Sequence, residues 1–140
     1  MKPLIPAVLW LIVITFLSTR GTVPMPKFNL IGADKLGHAG AYGLLVWLIL
    51  LGVYRVKSSD TYMLGYRPGV FLFATGYGIL MEFVQANFFP GRFFEYDDML
   101  ANAIGAAIGW LIFVRLFPTP DPTRMNGFLR RLSKIVNRKL

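Results

Sequence analysis

The sequence predicts an all-α integral membrane protein: a four-helix bundle followed by a basic, amphipathic C-terminal segment. Three observations carry that expectation. The chain has 140 residues, 55% of them hydrophobic and only 16% charged, more apolar surface than a soluble domain of this size can hide. The apolar residues come in four blocks, at 4–17, 36–54, 69–81 and 99–117. The 15 Lys and Arg residues are spread unevenly about those blocks.

A helix needs ~20 residues to cross the hydrocarbon core, and ~17 at the short end. The first block reaches that minimum only if Pro3, Ser18 and Thr19 join it. A Lys before a short apolar run also suits a signal peptide, but no A-x-A-like site follows in FLSTRGTVP. A retained helix is therefore expected. The second and fourth blocks fit a span directly. The third extends to residue 89 and fits only with Glu82, Gln85 and Asn87 inside it.

The second span opens with the stretch GADKLGHAGAY. Asp34, His38 and Tyr42 recur at i, i+4, i+8, so they stack on one helix face, with Lys35 at i−3 from His38. Gly37, Gly40 and Gly43 are expected to let another backbone approach. The following loop carries Arg55, Lys57 and Arg67, with Asp60 as a cap candidate. In the third span Gly78, Glu82 and Gln85 share a face. Between the third and fourth spans, FFPGRFFEYDD places a Pro90-Gly91 turn and Arg92 among aromatics suited to headgroup depth. The fourth span runs Asp98, Asn102, Gly105, Gly109, a packing seam with a polar head. Pro118, Pro120 and Pro122 then break the chain. Residues 1–118 thus form the membrane domain and 119–140 a cytoplasmic tail. The tail spaces Phe128, Leu129, Leu132, Ile135 and Val136 helically among five basic residues. It suits either a helix on an anionic leaflet or a frayed basic end.

Four spans leave both termini on one side. That side collects 11 of the basic residues, and the other holds Arg20, Lys27, Lys35 and Arg92. By the positive-inside rule both termini face the cytoplasm. The net charge of +8 is thereby accounted for by topology and membrane lipids, and nucleic acid is not an expected partner. There are no cysteines, so thiolate chemistry and disulfides are excluded.

Five of the seven acids then fall at the outer end: Asp34, Glu82, Glu95, Asp97 and Asp98. An ionised group near the bilayer centre costs on the order of 2.5–3.5 kcal/mol, so Glu82 calls for a partner, with Lys35, His38 and Arg92 at hand. Intramembrane ionisable residues are functional candidates by default.

The ordered pattern D-K-x-x-H-x-x-x-Y, E-x-x-Q, P-x-R and D-D-x-x-x-N-x-x-G resembles the VanZ-like family of small multi-spanning membrane proteins. The matching residues are Asp34, Lys35, His38, Tyr42, Glu82, Gln85, Pro90, Arg92, Asp97, Asp98, Asn102 and Gly105. The resemblance covers about residues 30–117. It implies a bacterial protein of the cell membrane with a role at the envelope, in a family named for a protein linked to teicoplanin resistance. It supplies no reaction.

The constellation itself admits two chemistries. In an enzyme acting on a lipid-linked phosphate or glycan, His38 serves as nucleophile or general acid, and Lys35 and Arg92 hold phosphate oxygens. Asp34, Asp98 and Glu82 then act as bases, or with Asp97 hold a divalent cation. In a binding or transport module the same groups, with Gln85, Asn102 and Tyr42, form an outward-facing site for a headgroup or a lipophilic glycopeptide. No cofactor is expected: one His and scattered carboxylates lack a dedicated metal spacing, although a divalent cation remains open. A purely structural clamp of helices is the alternative to both.

Overall fold

A computed structural model describes residues 2–19, 33–56, 60–90 and 93–117. A 3-10 turn, Lys2–Leu4, leads into α1 (Ile5–Thr19); α2 (Ala33–Val56), α3 (Asp60–Phe88) and α4 (Tyr96–Leu116) follow. The described residues hold four helices long and apolar enough to cross a membrane. The first spans Lys2–Thr19, so it does take in Pro3, Ser18 and Thr19. The third, Tyr66–Phe88, takes in Glu82, Gln85 and Asn87. Arg20, Lys27, Gly91, Arg92 and the tail from residue 118 lie outside the described residues.

The bundle is built on the pair α2 and α4, which run parallel. Their register follows from the glycines. A Cβ on Gly105 would overlap the carbonyl oxygen of Ala39, and one on Gly109 would overlap that of Gly43. A Cβ on Gly43 would stand 2.9 Å from the carbonyl oxygen of Gly105. Only hydrogen fits at these three positions, so the two backbones touch, as in small-residue packing of membrane helices. The seam read in the fourth span is therefore real. The expectation for α2 needs correction. A Cβ on Gly37 or Gly40 meets nothing within 4 Å, and of these three glycines Gly43 alone serves close approach.

Towards the far end the seam widens and aromatics fill it. Trp47 meets Phe113 edge-on at 5.5 Å, and Tyr54 meets Phe117 at 4.9 Å. Helix α3 lays Val70, Ala74 and Gly78 against this pair, with Tyr42, Leu45, Val46, Leu50 and Ala106 completing the core. Helix α1 is fastened by polar groups. Trp10 Nε1 donates to the Ala41 carbonyl at 2.9 Å, and the hydroxyls of Thr15 and Tyr77 share a hydrogen bond of 2.5 Å.

Arg67 corrects a second expectation. The sequence suggests a loop there, but α3 begins at Asp60, so Arg67 lies within the helix and is buried. Its Nη2 donates to the Phe117 carbonyl at 2.9 Å, and its guanidinium lies 6.0 Å from the centre of the Phe113 ring. The last carbonyls of a helix lack intrahelical donors and carry partial negative charge, so the C-terminal end of α4 suits a cation.

The apolar residues left over point outward: Val8, Leu9, Ile12 and Phe16 on α1; Leu72, Leu80 and Phe83 on α3; Leu100, Ile104, Ile108 and Leu111 on α4. The buried residues meanwhile include Arg67, Glu82, Gln85, Asp98 and Asn102. Apolar outside and polar inside is the arrangement that hydrocarbon solvent favours.

Candidate functional site

The parallel register of α2 and α4 brings both N-termini to one end of the bundle. Helix N-termini carry partial positive charge, so carboxylates are favoured there. Asp34 lies in the first turn of α2, and Asp97 and Asp98 lie in the first turn of α4. The i+4 steps from these acids place His38 and Asn102 one turn deeper, opposite each other.

The resulting contacts join α2 to α4. His38 Nδ1 is 3.1 Å from Asn102 Oδ1. His38 Nε2 is 3.4 Å from Asp98 Oδ2 and 3.8 Å from Asp34 Oδ1. Lys35 Nζ is 3.3 Å from Asp97 Oδ2 and 3.6 Å from Asp98 Oδ1. Asp98 is the buried hub, its side chain 6% exposed, whereas those of Asp34 and Asp97 are 66% and 74% exposed. Asp98 Oδ1 has no hydrogen-bond partner among the described residues. The Lys35 ammonium faces it at ion-pair rather than hydrogen-bond length.

Below this layer, Gly78 of α3 makes room for the cluster. A Cβ there would stand 3.0 Å from the Asn102 side chain and 3.2 Å from the Tyr42 ring. Tyr42 is buried and lies within electrostatic reach of Glu82, itself buried on α3 one turn beyond Gly78. Gln85, a further turn on, faces α1, and its Nε2 donates to the Ser18 carbonyl at 2.8 Å.

Six of the residues singled out from the sequence thus converge: Asp34, Lys35, His38, Asp97, Asp98 and Asn102. Tyr42 and Glu82 form a deeper buried layer. The contacts of His38 and Lys35 just described run to α4 and to Asp34; the partnership of either with Glu82 expected from the sequence is not among them. Gln85 ties α3 to α1. Arg92 lies outside the described residues. Reading the sequence missed the Thr15–Tyr77 bond and the Ser18 carbonyl, both on the α1 side. A Thr in the middle of an otherwise apolar block was the available signal for the first. Nothing in a residue's identity signals the second, because every residue has a carbonyl.

Chemically, the cluster holds an imidazole, three carboxylates and one ammonium in a layer that is buried at Asp98 and exposed at Asp34 and Asp97. It can exchange a proton, hold a cation, or meet an anionic group through Lys35. The family model described as VanZ/LLP1 matches residues 4–117, which include every described member of the cluster. No curated protein and no solved structure matches the chain significantly.

Proposed function

The chain belongs to the VanZ/LLP1 family, and from that premise we propose that it is a bacterial cell-envelope protein which binds or acts on a lipid-linked envelope precursor or a lipophilic glycopeptide. It spans the inner membrane with both termini cytoplasmic, an orientation supported by the 11 basic residues on the terminal side. The cluster at the N-termini of α2 and α4 then opens to the outer leaflet.

The observation that carries this reading is Asp98. A carboxylate 94% shielded is held within ion-pair reach of Lys35 and 3.4 Å from the His38 imidazole, and its flanking acids stand exposed. Taking an ion out of water costs several kcal/mol on the order of the gain from pairing it, so such a group is weak support for stability. A ligand that uses the cluster gives it a reason to be kept. Lys35 is suited to a phosphate oxygen at the surface, and His38 to moving a proton just behind it.

A second reading has its own observation. The His38–Asn102 contact lies on the same interface as the glycine seam, so the cluster also suits a clamp that sets the α2–α4 register, in a structural or assembly-partner protein. Alanine variants of His38, Asp98, Glu82 and Arg92 separate the two. Loss of binding to a pyrophosphate-linked polyprenyl precursor or to teicoplanin, with folding intact, supports a site. Loss of the folded bundle in each of them supports a clamp. Conversion of the lipid-linked substrate by purified protein distinguishes an enzyme from a binder or transporter.

A further inference from the structure

The pairing of the His38 nitrogens raises a question that the helices do not answer. Nδ1 faces Asn102 Oδ1 at 3.1 Å. An amide oxygen only accepts, so Nδ1 carries the hydrogen and donates it. In the neutral imidazole Nε2 is then the bare acceptor, and it faces two carboxylate oxygens, which also only accept. Three lone pairs converge, an arrangement that a cation placed among them would relieve.

Two cations are available, a proton on Nε2 or a metal ion. Distance discriminates between them. A charge-assisted N–H···O bond closes to about 2.7–2.9 Å. The separations here are 3.4 Å and 3.8 Å, too long for that bond. Two ligands of one tetrahedral ion, each at about 2.0–2.1 Å from it, stand about 3.4 Å apart. His38 Nε2 and Asp98 Oδ2 have that spacing. One ligand atom from each of Asp34, His38 and Asp98 lies within 4.8 Å of the other two. Asp34 is the exposed member, so a side-chain rotation adjusts its distance without moving a helix.

We propose that Asp34, His38 and Asp98 bind one divalent transition cation of the zinc type, with an open coordination position towards the bundle surface. The remaining groups fit as its supports. Asn102 fixes the imidazole tautomer and ring plane, the usual duty of a residue hydrogen-bonded to a ligating His. Lys35 faces Asp98 Oδ1, leaving Oδ2 for the ion. Lys35 also adds positive charge beside the open position, which favours a phosphate or carboxylate oxygen as the fourth ligand. Three protein ligands with an open fourth place is the pattern of zinc sites that handle substrate rather than hold a fold. The inference deepens the site proposed above and rests on its being a ligand site.

The test is titration of tag-free, chelator-stripped full-length protein in lipid nanodiscs with zinc chloride, read by calorimetry and by metal content after desalting. One zinc per chain is expected. His38→Gln and Asp98→Asn should weaken it by at least about 10-fold, and Asn102→Ala by about 10–100-fold, the range for supports of a metal ligand. Glu95→Gln, an exposed acid outside the cluster, should leave it unchanged. Should the variants fail to fold, wild-type protein still gives an answer. Its single histidine is His38, and zinc should protect that residue from diethyl pyrocarbonate. Absence of zinc binding by folded wild type overturns the proposal. So does binding that survives in all the cluster variants, or a histidine modified equally fast with and without zinc. Loss of precursor binding in His38→Gln, with no zinc bound by wild type, would overturn the cation and leave the ligand site standing.

Discussion

The glycine seam sets the distances in the cluster, and Gly105→Ala tests that dependence. The new Cβ would stand 2.5 Å from the Ala39 Cα and overlap the Ala39 carbonyl oxygen. Carbon–carbon contacts are comfortable at about 3.5–4.0 Å, so α2 and α4 must part by about 1 Å. Both obstacles are backbone, so no side-chain rotation relieves the clash. Forcing one methyl into a closed interface typically costs about 1–3 kcal/mol. The same displacement opens the His38–Asp98 approach from 3.4 Å to beyond ion-pair length. Gly105→Ala should therefore lower the unfolding free energy by about that amount, measured by thermal or SDS titration in mixed micelles. Gly109→Ala should behave alike, since its Cβ would lie 2.8 Å from the Gly43 carbonyl carbon. Gly37→Ala and Gly40→Ala are the controls. A methyl there meets nothing within 4 Å, and alanine is the better helix former by about 1 kcal/mol. Equal effects at positions 37 and 105 would refute the argument that backbone contact along α4 fixes the register.

Three further outcomes follow from the same geometry. Asp98→Ala takes the buried partner from His38, while Lys35 keeps Asp97 at 3.3 Å, so it should destabilise by about 1–3 kcal/mol, the cost of leaving one buried polar group unpaired; Asp97→Ala, at an exposed position, should hardly register in the same assay. Arg67→Met removes the donor to the Phe117 carbonyl and should loosen the far end of α4, read as faster amide exchange after Phe113 with little change at Asn102. In a double-mutant cycle, Thr15→Val and Tyr77→Phe should couple by about 0.6 kcal/mol and at most about 1.7, the range for hydrogen bonds between membrane helices.

Much of the fold was legible because hydrocarbon imposes it. Block length and helix rise determine where spans can lie, and the observed helices contain all four blocks except for a residue or two at their ends. The cluster was legible for a related reason. An i, i+4 row ending in a carboxylate, as in Asp98, Asn102 and Gly105, must present one face, and a polar face inside a bilayer has to turn inward. What the sequence left open was pairing between helices. Periodicity orients Glu82 and Gln85 together on α3, but whether that face meets α1 or α2 depends on how the helices pack. Gln85 turned out to serve α1. Glycines illustrate the same limit. Gly37 and Gly43 look alike as letters, and only the path of α4 decides which one is pressed against a backbone. Arg67 lies inside α3 and not in a loop because charge is a poor guide to a helix boundary when a helix C-terminus is near enough to accept it.

The most direct test of the central claim replaces the cluster with grease. His38→Leu, Asp98→Leu and Asn102→Leu, combined, remove its polar contacts other than Lys35–Asp97, with leucine keeping the branched shape of Asp and Asn. Buried ion pairs exchanged for packed apolar residues are often neutral or stabilising by about 1–4 kcal/mol. If the cluster exists to handle a ligand, the triple variant should be at least as stable as wild type and should no longer bind the lipid-linked precursor or teicoplanin. A variant that unfolds, or one that folds and binds as well as wild type, would contradict it.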